Sequence, residues 1–294
     1  MDEICRLCPR RCGARRAGGA RGRCGAGACA RLYRWGLHFG EEPPVSGKRG
    51  SGCLFFSHCT MDCIYCQNTK WSRRGAGEDM SVETLAGAMR VLAVNDGAEN
   101  WNLVSPTPYM PFIRDAARIL AKEGVKLPFV WNSSGYETIE TLEEYKDFCD
   151  VALFDLRYSK DETAAAASSA PGYVAAARAA AKWAWERENC TPIYRLLVLP
   201  GHADEAVENL RWIARELSSE ATVSIMSQYT PCADAAAHPP FDRRVTEAEY
   251  AAVTEAAADL GFENGWIQGF EASRAGDSLF GDDMPPGHGK VGKN

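Results

Sequence analysis

Apolar residues are unevenly spread along the chain. From residue 52 onward, short apolar runs alternate with segments whose apolar positions recur at helical spacing, and the runs at 53–57, 101–105, 129–133, 151–155, 193–199 and 223–227 predict six strands. Near-continuous apolar strands separated by helices are the pattern of βαβ units around a parallel sheet covered on its faces. Between the first two strands, 81–94 places Leu85, Met89 and Leu92 on one helical face. Thr246 with Glu249 forms a capping box ahead of the last helix. The alanine-rich stretch 164–181 is interrupted by Pro171 and Gly172 and reads as a loop followed by an exposed helix. The fold class is α/β. Six right-handed βαβ units either close into a partial TIM-like barrel or lie open as a doubly wound sheet, and the pattern serves both.

Residues 1–50 break this pattern. They are rich in Cys, Arg and Gly with almost no hydrophobic periodicity, so they form an extension that cannot fold around a core of its own. The chain therefore divides into this extension, an α/β core over 51–272 and a Gly-, Pro- and Asp-rich tail over 273–294 that is expected to be disordered. With 46% apolar and 24% charged residues among 294, there is ample material for one main core. A formal charge of -6 argues against a nucleic-acid partner, although Arg6 to Arg34 make a locally basic head. Neither a leader nor a membrane-length apolar run is expected from these residues, and the expected location is cytoplasmic, with no membrane partner.

Twelve cysteines in a reducing compartment point to metal ligation more than to disulfides. Cys59-Thr-Met-Asp-Cys63-Ile-Tyr-Cys66 begins just after the first strand, where loops at the C-terminal ends of parallel strands build sites. Three soft thiolates in one short loop can curl around a 4Fe-4S cube and leave one iron open for a ligand. The competing readings are a zinc site completed by His58, Cys53 or another cysteine, and three merely buried thiols. A second group, Cys5, Cys8, Cys12 and Cys24, lies in the coreless head, with Cys29 competing as fourth ligand. Zinc or an auxiliary iron-sulfur cluster there would supply the missing folding free energy; the alternative is reduced cysteines packed on the core. Cys53, Cys149, Cys190 and Cys232 are isolated and read as core or surface thiols.

The C-x3-C-x2-C spacing resembles the radical S-adenosylmethionine (SAM) superfamily, and Ser57-His-Cys59 to Cys66-Gln67-Asn68 resembles the subfamily akin to pyruvate formate-lyase activating enzymes. The resemblance extends through Gly40-Glu-Glu-Pro43, Ser46-Gly47, Gly50-Ser-Gly52, Leu103-Val-Ser-Pro-Thr-Pro-Tyr109, Asn132-Ser-Ser-Gly-Tyr136, Asp155-Leu-Arg-Tyr158, Leu197-Val-Leu-Pro-Gly201 and Gln228-Tyr229. It implies a partial (β/α)6 barrel, with Cys59, Cys63 and Cys66 holding a 4Fe-4S cluster whose open iron takes the amino and carboxylate groups of SAM. An electron from a flavodoxin-like or ferredoxin-like donor would then cleave SAM to a 5'-deoxyadenosyl radical that abstracts hydrogen. The implied substrate is a protein or peptide, such as a glycyl-radical enzyme. Modification of another peptide position or a small molecule is the alternative within enzymes, and a non-catalytic iron-sulfur redox or sensor protein is the alternative outside them.

Many members of that superfamily carry a Gly-Gly-Glu run for the SAM amine, which is absent here. The equivalent Ser105-Pro-Thr107-Pro-Tyr109 makes Thr107, with Ser105, the expected acceptor. Asn132-Ser133-Ser134-Gly135 resembles the activating enzymes' Asp-Thr-Asn-Gly, and Asp155-Leu-Arg157 their Asp-Leu-Lys. The likeness puts Ser133 and Asp155 near the SAM carboxylate and a monovalent cation. With Asn132 in place of an acid, Arg157 is left to face the carboxylate. Gln228 and Tyr229 match the region beside adenosine, and Tyr65 is placed against adenine or as a lid on the cluster.

Overall fold

The computed structural model describes residues 4–232 and 234–274. All six expected strands are present, with ends displaced by up to two residues: β2 Ser51–Phe56, β4 Trp101–Val104, β5 Phe129–Ser133, β6 Val151–Asp155, β7 Thr191–Leu197 and β8 Val223–Met226. Three more were not expected: β1 Ala30–His38, β3 Glu78–Met80 and β9 Gly265–Ile267. They form one nine-stranded sheet in the order β3-β1-β2-β4-β5-β6-β7-β8-β9. From β2 to β9 every neighbouring pair is parallel, while β1 runs antiparallel to both β2 and β3. The parallel strands follow one another in chain order, so there is no reversal of the kind that defines a doubly wound sheet. The boundary drawn at residue 50 needs correction: β1 and α1 (Pro43–Ser46) belong to the sheet and its filling, and only the residues before Ala30 stand apart.

The remaining α-helices are α2 Thr69–Ser72, α3 Val82–Arg90, α4 Met110–Lys122, α5 Ile139–Glu144, α6 Asp161–Ser168, α7 Tyr173–Trp185, α8 Ala203–Glu216 and α9 Glu247–Asp259. Ser81 caps α3 by accepting from the Thr84 amide, and Leu85, Met89 and Leu92 are fully buried. The capping box of Thr246 and Glu249 opens α9. The 164–181 reading is corrected: it belongs to two helices, and α7 buries Tyr173, Ala177, Ala180, Ala181, Trp183 and Ala184. Its small side chains bring the helix close to the strands, a burial that an alanine-rich composition does not announce. The tail expected at 273–294 lies, from residue 275 on, outside the described residues.

Strand alternation produces two faces with different tasks. One packs against helices: Leu54 and Phe56, Leu103, Trp131 and Phe154 join α3 and α4, while Tyr194, Leu196 and Ile225 join α8 and α9. The other holds a small apolar layer of Val130, Leu153 and Ile193, plugged by Val45 from α1. Two residues further along the same strands, this inward face carries Asn132, Asp155 and Arg195. The sheet thus changes from dry to polar toward its C-terminal edge, where the next loops converge.

Candidate active site

A cleft of about 170 Å³ lies at that edge. Its walls come from the end of each successive parallel strand from β2 to β8: Phe55, Val104 with Ser105, Asn132 with Ser133 and Ser134, Asp155 with Arg157, Arg195 with Leu197, and Met226 with Gln228 and Tyr229. The cysteine loop adds Cys59, Tyr65 and Cys66. A cavity of about 600 Å³ lies between the head, α4 and α5, but it shares no residue with this cleft and none of the strand ends reaches it. The smaller cleft is therefore the candidate site, since convergent strand ends are where such folds place chemistry.

The loop after β2 is held by its backbone. The Asp62 and Ile64 amides donate to Ser168 and Ala167 at the end of α6, and the Cys66 amide turns back to Cys63 O. Burial pushes the Cys59 thiol up to about 11, with Cys63 adding to the effect, and the Cys66 thiol up to about 12. These thiols keep their protons in the metal-free chain, and metal binding has to release them. Cys63 lies deeper, its sulfur receiving Ser168 Oγ at 2.9 Å and Arg157 Nη1 at 3.3 Å. Among the described residues, no three His, Cys, Asp or Glu side chains close on a single metal ion. The three loop sulfurs stand apart from one another, as the separate corners of a 4Fe-4S cube would require. Cys53, one expected zinc competitor, sits on the inward face beside Glu41 instead.

Ser105, Ser133, Asp155, Arg157, Gln228 and Tyr229 all line the cleft. Arg157 is held by contacts within the protein while it lines the cleft. Its Nε and Nη2 grip Asp155 Oδ2 at 3.0 and 2.5 Å, and its third nitrogen points at Cys63. Ser105 holds a left-handed φ of 58°, costly for a residue with a Cβ and typical of a functional turn. Gln228 Oε1 accepts from Gln268 Nε2 at 3.0 Å, and Tyr229 donates its hydroxyl to Phe241 O at 2.6 Å. Tyr65 stacks on Phe241 at 5.2 Å and shares its hydroxyl with Tyr158.

Thr107 is placed differently. It does not line the cleft; its hydroxyl donates to Glu137 Oε1 at 2.6 Å in a buried pair. Burial raises the Glu137 carboxyl to about 7, and its second oxygen has no partner. That bond uses the hydroxyl's proton and leaves its acceptor lone pairs, and Thr107 lines a small cavity together with Cys59, Ser105 and Ser133.

Sequence reasoning missed the floor of the cleft. Arg195 Nε and Nη2 hold Glu42 at 2.7 and 2.5 Å, and Nη2 also bonds Glu41 Oε2. Glu41 Oε1 in turn receives Asn102 Nδ2 at 3.0 Å and Asn132 Nδ2 at 3.3 Å. The available signal was a charged residue inside an apolar strand run, Ile193-Tyr-Arg195-Leu-Leu197, which marks a polar interior.

The head cysteines share a cavity of their own. Cys5, Cys8, Cys12 and Cys24 line one small cavity with Thr60 and Thr107, while Cys29 is exposed and outside it.

The chain resembles an uncharacterized protein of Methanocaldococcus jannaschii, 29% identical over 229 residues that make up 75% of this chain. The chain spans about two thirds of that relative's length, 65%. A model of the radical SAM superfamily matches residues 53–213, more than half of the chain and the span that carries β2 to β7 with the cysteine loop. The chain belongs to the radical SAM superfamily, a membership that implies a 4Fe-4S cluster and SAM.

Proposed function

We propose that Cys59, Cys63 and Cys66 hold the 4Fe-4S cluster and that the cleft beside them binds SAM, in a radical SAM enzyme akin to pyruvate formate-lyase activating enzymes. The observation that carries this reading is the opening of the cysteine loop onto the same cleft as the strand ends, with Cys59 and Cys66 in its wall. The open, consecutively ordered sheet supports reading the fold as an incomplete barrel of six βα units. When bound, cluster and SAM supply a 5'-deoxyadenosyl radical for hydrogen abstraction.

The protein's own share is positioning. Ser105 and Ser133 offer hydroxyls in the wall of the cleft, and the Asp155–Arg157 pair fixes a charged wall next to the deepest thiol. Tyr229 and Tyr65 present aromatic surface suited to adenine. The buried Glu41–Arg195 floor keeps the cleft polar below the strand ends, where a hydrogen donor would enter. A protein or peptide is the proposed substrate, a glycyl-radical enzyme among them, with a flavodoxin-like or ferredoxin-like donor as reductant. The work is proposed to take place in the cytoplasm; among the described residues no helix is long and apolar enough to cross a membrane.

The test is anaerobic incubation of reconstituted protein with SAM and dithionite. The expected product is 5'-deoxyadenosine, lost together with the cluster's visible absorption in Cys63→Ala, because two thiolates cannot retain the site. Wild-type protein with a full cluster and no 5'-deoxyadenosine above background would refute the reading.

A further inference from the structure

Residues before Ala30 have few means of holding a shape. Among the described ones only Cys8, Gly22 and Ala26 are buried, and the only helical turn is the 3-10 segment Arg16–Gly18. Yet the segment is folded: the Cys5 amide donates to Ala14 O and the Gly13 amide to Cys5 O, the Arg11 amide turns back to Cys8 O, and the Gly22 amide donates to Ala26 O. These turns bring four thiols to one cavity from positions spread over the head. A Cβ built on Gly22 would stand 3.2 Å from the Cys24 sulfur and 3.8 Å from that of Cys12, so both sulfurs lie close to this one position. The same cavity is walled by Thr60 of the cysteine loop and by Thr107. A second cavity, of about 170 Å³, is lined by Cys24, His58 and Cys59. Both ring nitrogens of His58 are buried there without a partner.

We propose that Cys5, Cys8, Cys12 and Cys24 form a thiophilic metal centre, separate from the central loop, that folds the head and seats it against the wall of the radical site. Four soft thiolates in a segment without a core suit zinc or iron, and for such segments metal-binding free energy is folding free energy. Arg10 completes the seat, donating to Ser169 O at 2.6 Å and to Thr60 O from the head side. The centre does not depend on the central loop holding a cluster, because no ligand is shared.

The test uses full-length protein with Cys59, Cys63 and Cys66 all replaced by Ala, isolated anaerobically from zinc- and iron-replete cells. It is expected to retain about one zinc, or about four irons with sulfide, per chain. Adding Cys8→Ser and Cys24→Ser is expected to remove that metal, and adding Cys29→Ser to leave it in place. Zinc and iron both support the centre and tell which metal it takes. Metal content at trace level in the triple variant, or metal undiminished by Cys8→Ser with Cys24→Ser, overturns it. If the added serines prevent folding, X-ray absorption on the triple variant decides: a shell of four sulfurs supports the centre, and a nitrogen and oxygen shell overturns it.

Discussion

The Arg157 guanidinium donates to the Cys63 sulfur at 3.3 Å while holding Asp155 along its other edge. A cation in contact with a cluster thiolate favours the more negative, reduced state, and Asp155 both orients that cation and partly offsets it. The partial burial of the pair, with side chains 23% and 14% exposed, limits solvent screening.

Arg157→Ala is therefore expected to lower the midpoint potential of the central cluster by tens of millivolts and to slow SAM cleavage by dithionite. Arg157→Lys keeps the charge but loses the fork to Asp155, and its potential should fall between those of the other two proteins. Electron paramagnetic resonance titration reads this directly. Equal potentials in all three proteins would show that the contact carries no electrostatic weight.

The floor of the cleft predicts an asymmetric stability pattern. Arg195 offsets two buried carboxylates, and the Glu42 carboxyl is held below its usual range by the guanidinium despite burial. Arg195→Met leaves both acids unpaired and should cost about 3–5 kcal/mol, whereas Glu42→Gln leaves Arg195 paired with Glu41 and should cost about 1–2 kcal/mol. Urea unfolding of the two variants orders them. A smaller loss for Arg195→Met than for Glu42→Gln would contradict the arrangement.

Glu137 sets a pH dependence. Its carboxyl titrates near 7 in the folded chain, above its ordinary 4.5, because burial disfavours the charged form. Between those values the folded state holds a proton that the unfolded state has lost, so stability falls as pH rises. The cost is absent below about pH 4 and complete above about pH 7, on the order of 3 kcal/mol. Glu137→Gln removes the titration, so its stability should change less than that of wild type between pH 5 and 8 in thermal melts. Parallel curves for the two proteins would exclude Glu137 as the source.

How much of this was legible follows from what each signal measures. Strands buried on both faces announce themselves as apolar runs, which is why β2 and β4 to β8 were read. β3 is Glu78-Asp-Met80 and owes its existence to backbone pairing with β1, so no side-chain pattern could show it. β1 mixes Arg31 and Arg34 with Leu32 and Trp35 and carries a register shift between Leu32 and Arg34, which blurs its alternation. In the site, strand-end residues could be named because motif and topology agree there. The engagement of Thr107 by Glu137, and of Arg157 by Cys63, depends on partners 30 and 94 residues away and has no local signature.

His58 offers a last prediction, since its ring is wedged by glycines on two sides. A Cβ on Gly75 would stand 2.4 Å from His58 Cε1, and one on Gly25 2.5 Å from Nδ1, and both glycines have positive φ, +65° and +94°. Gly75→Ala must therefore absorb backbone strain of about 1 kcal/mol together with overpacking of about 1–3 kcal/mol. Gly124, with φ +75° and open space around its Cβ position, isolates the first cost, so Gly124→Ala should lose only about 1 kcal/mol. The difference between the two belongs to the imidazole. In Gly75→Ala combined with His58→Ala the clash is gone, and the double variant should lose less than the two single losses together, by at least about 1 kcal/mol in a double-mutant cycle. Strict additivity would mean that the ring yields freely and that the cavity between Cys24 and Cys59 is not shaped by it.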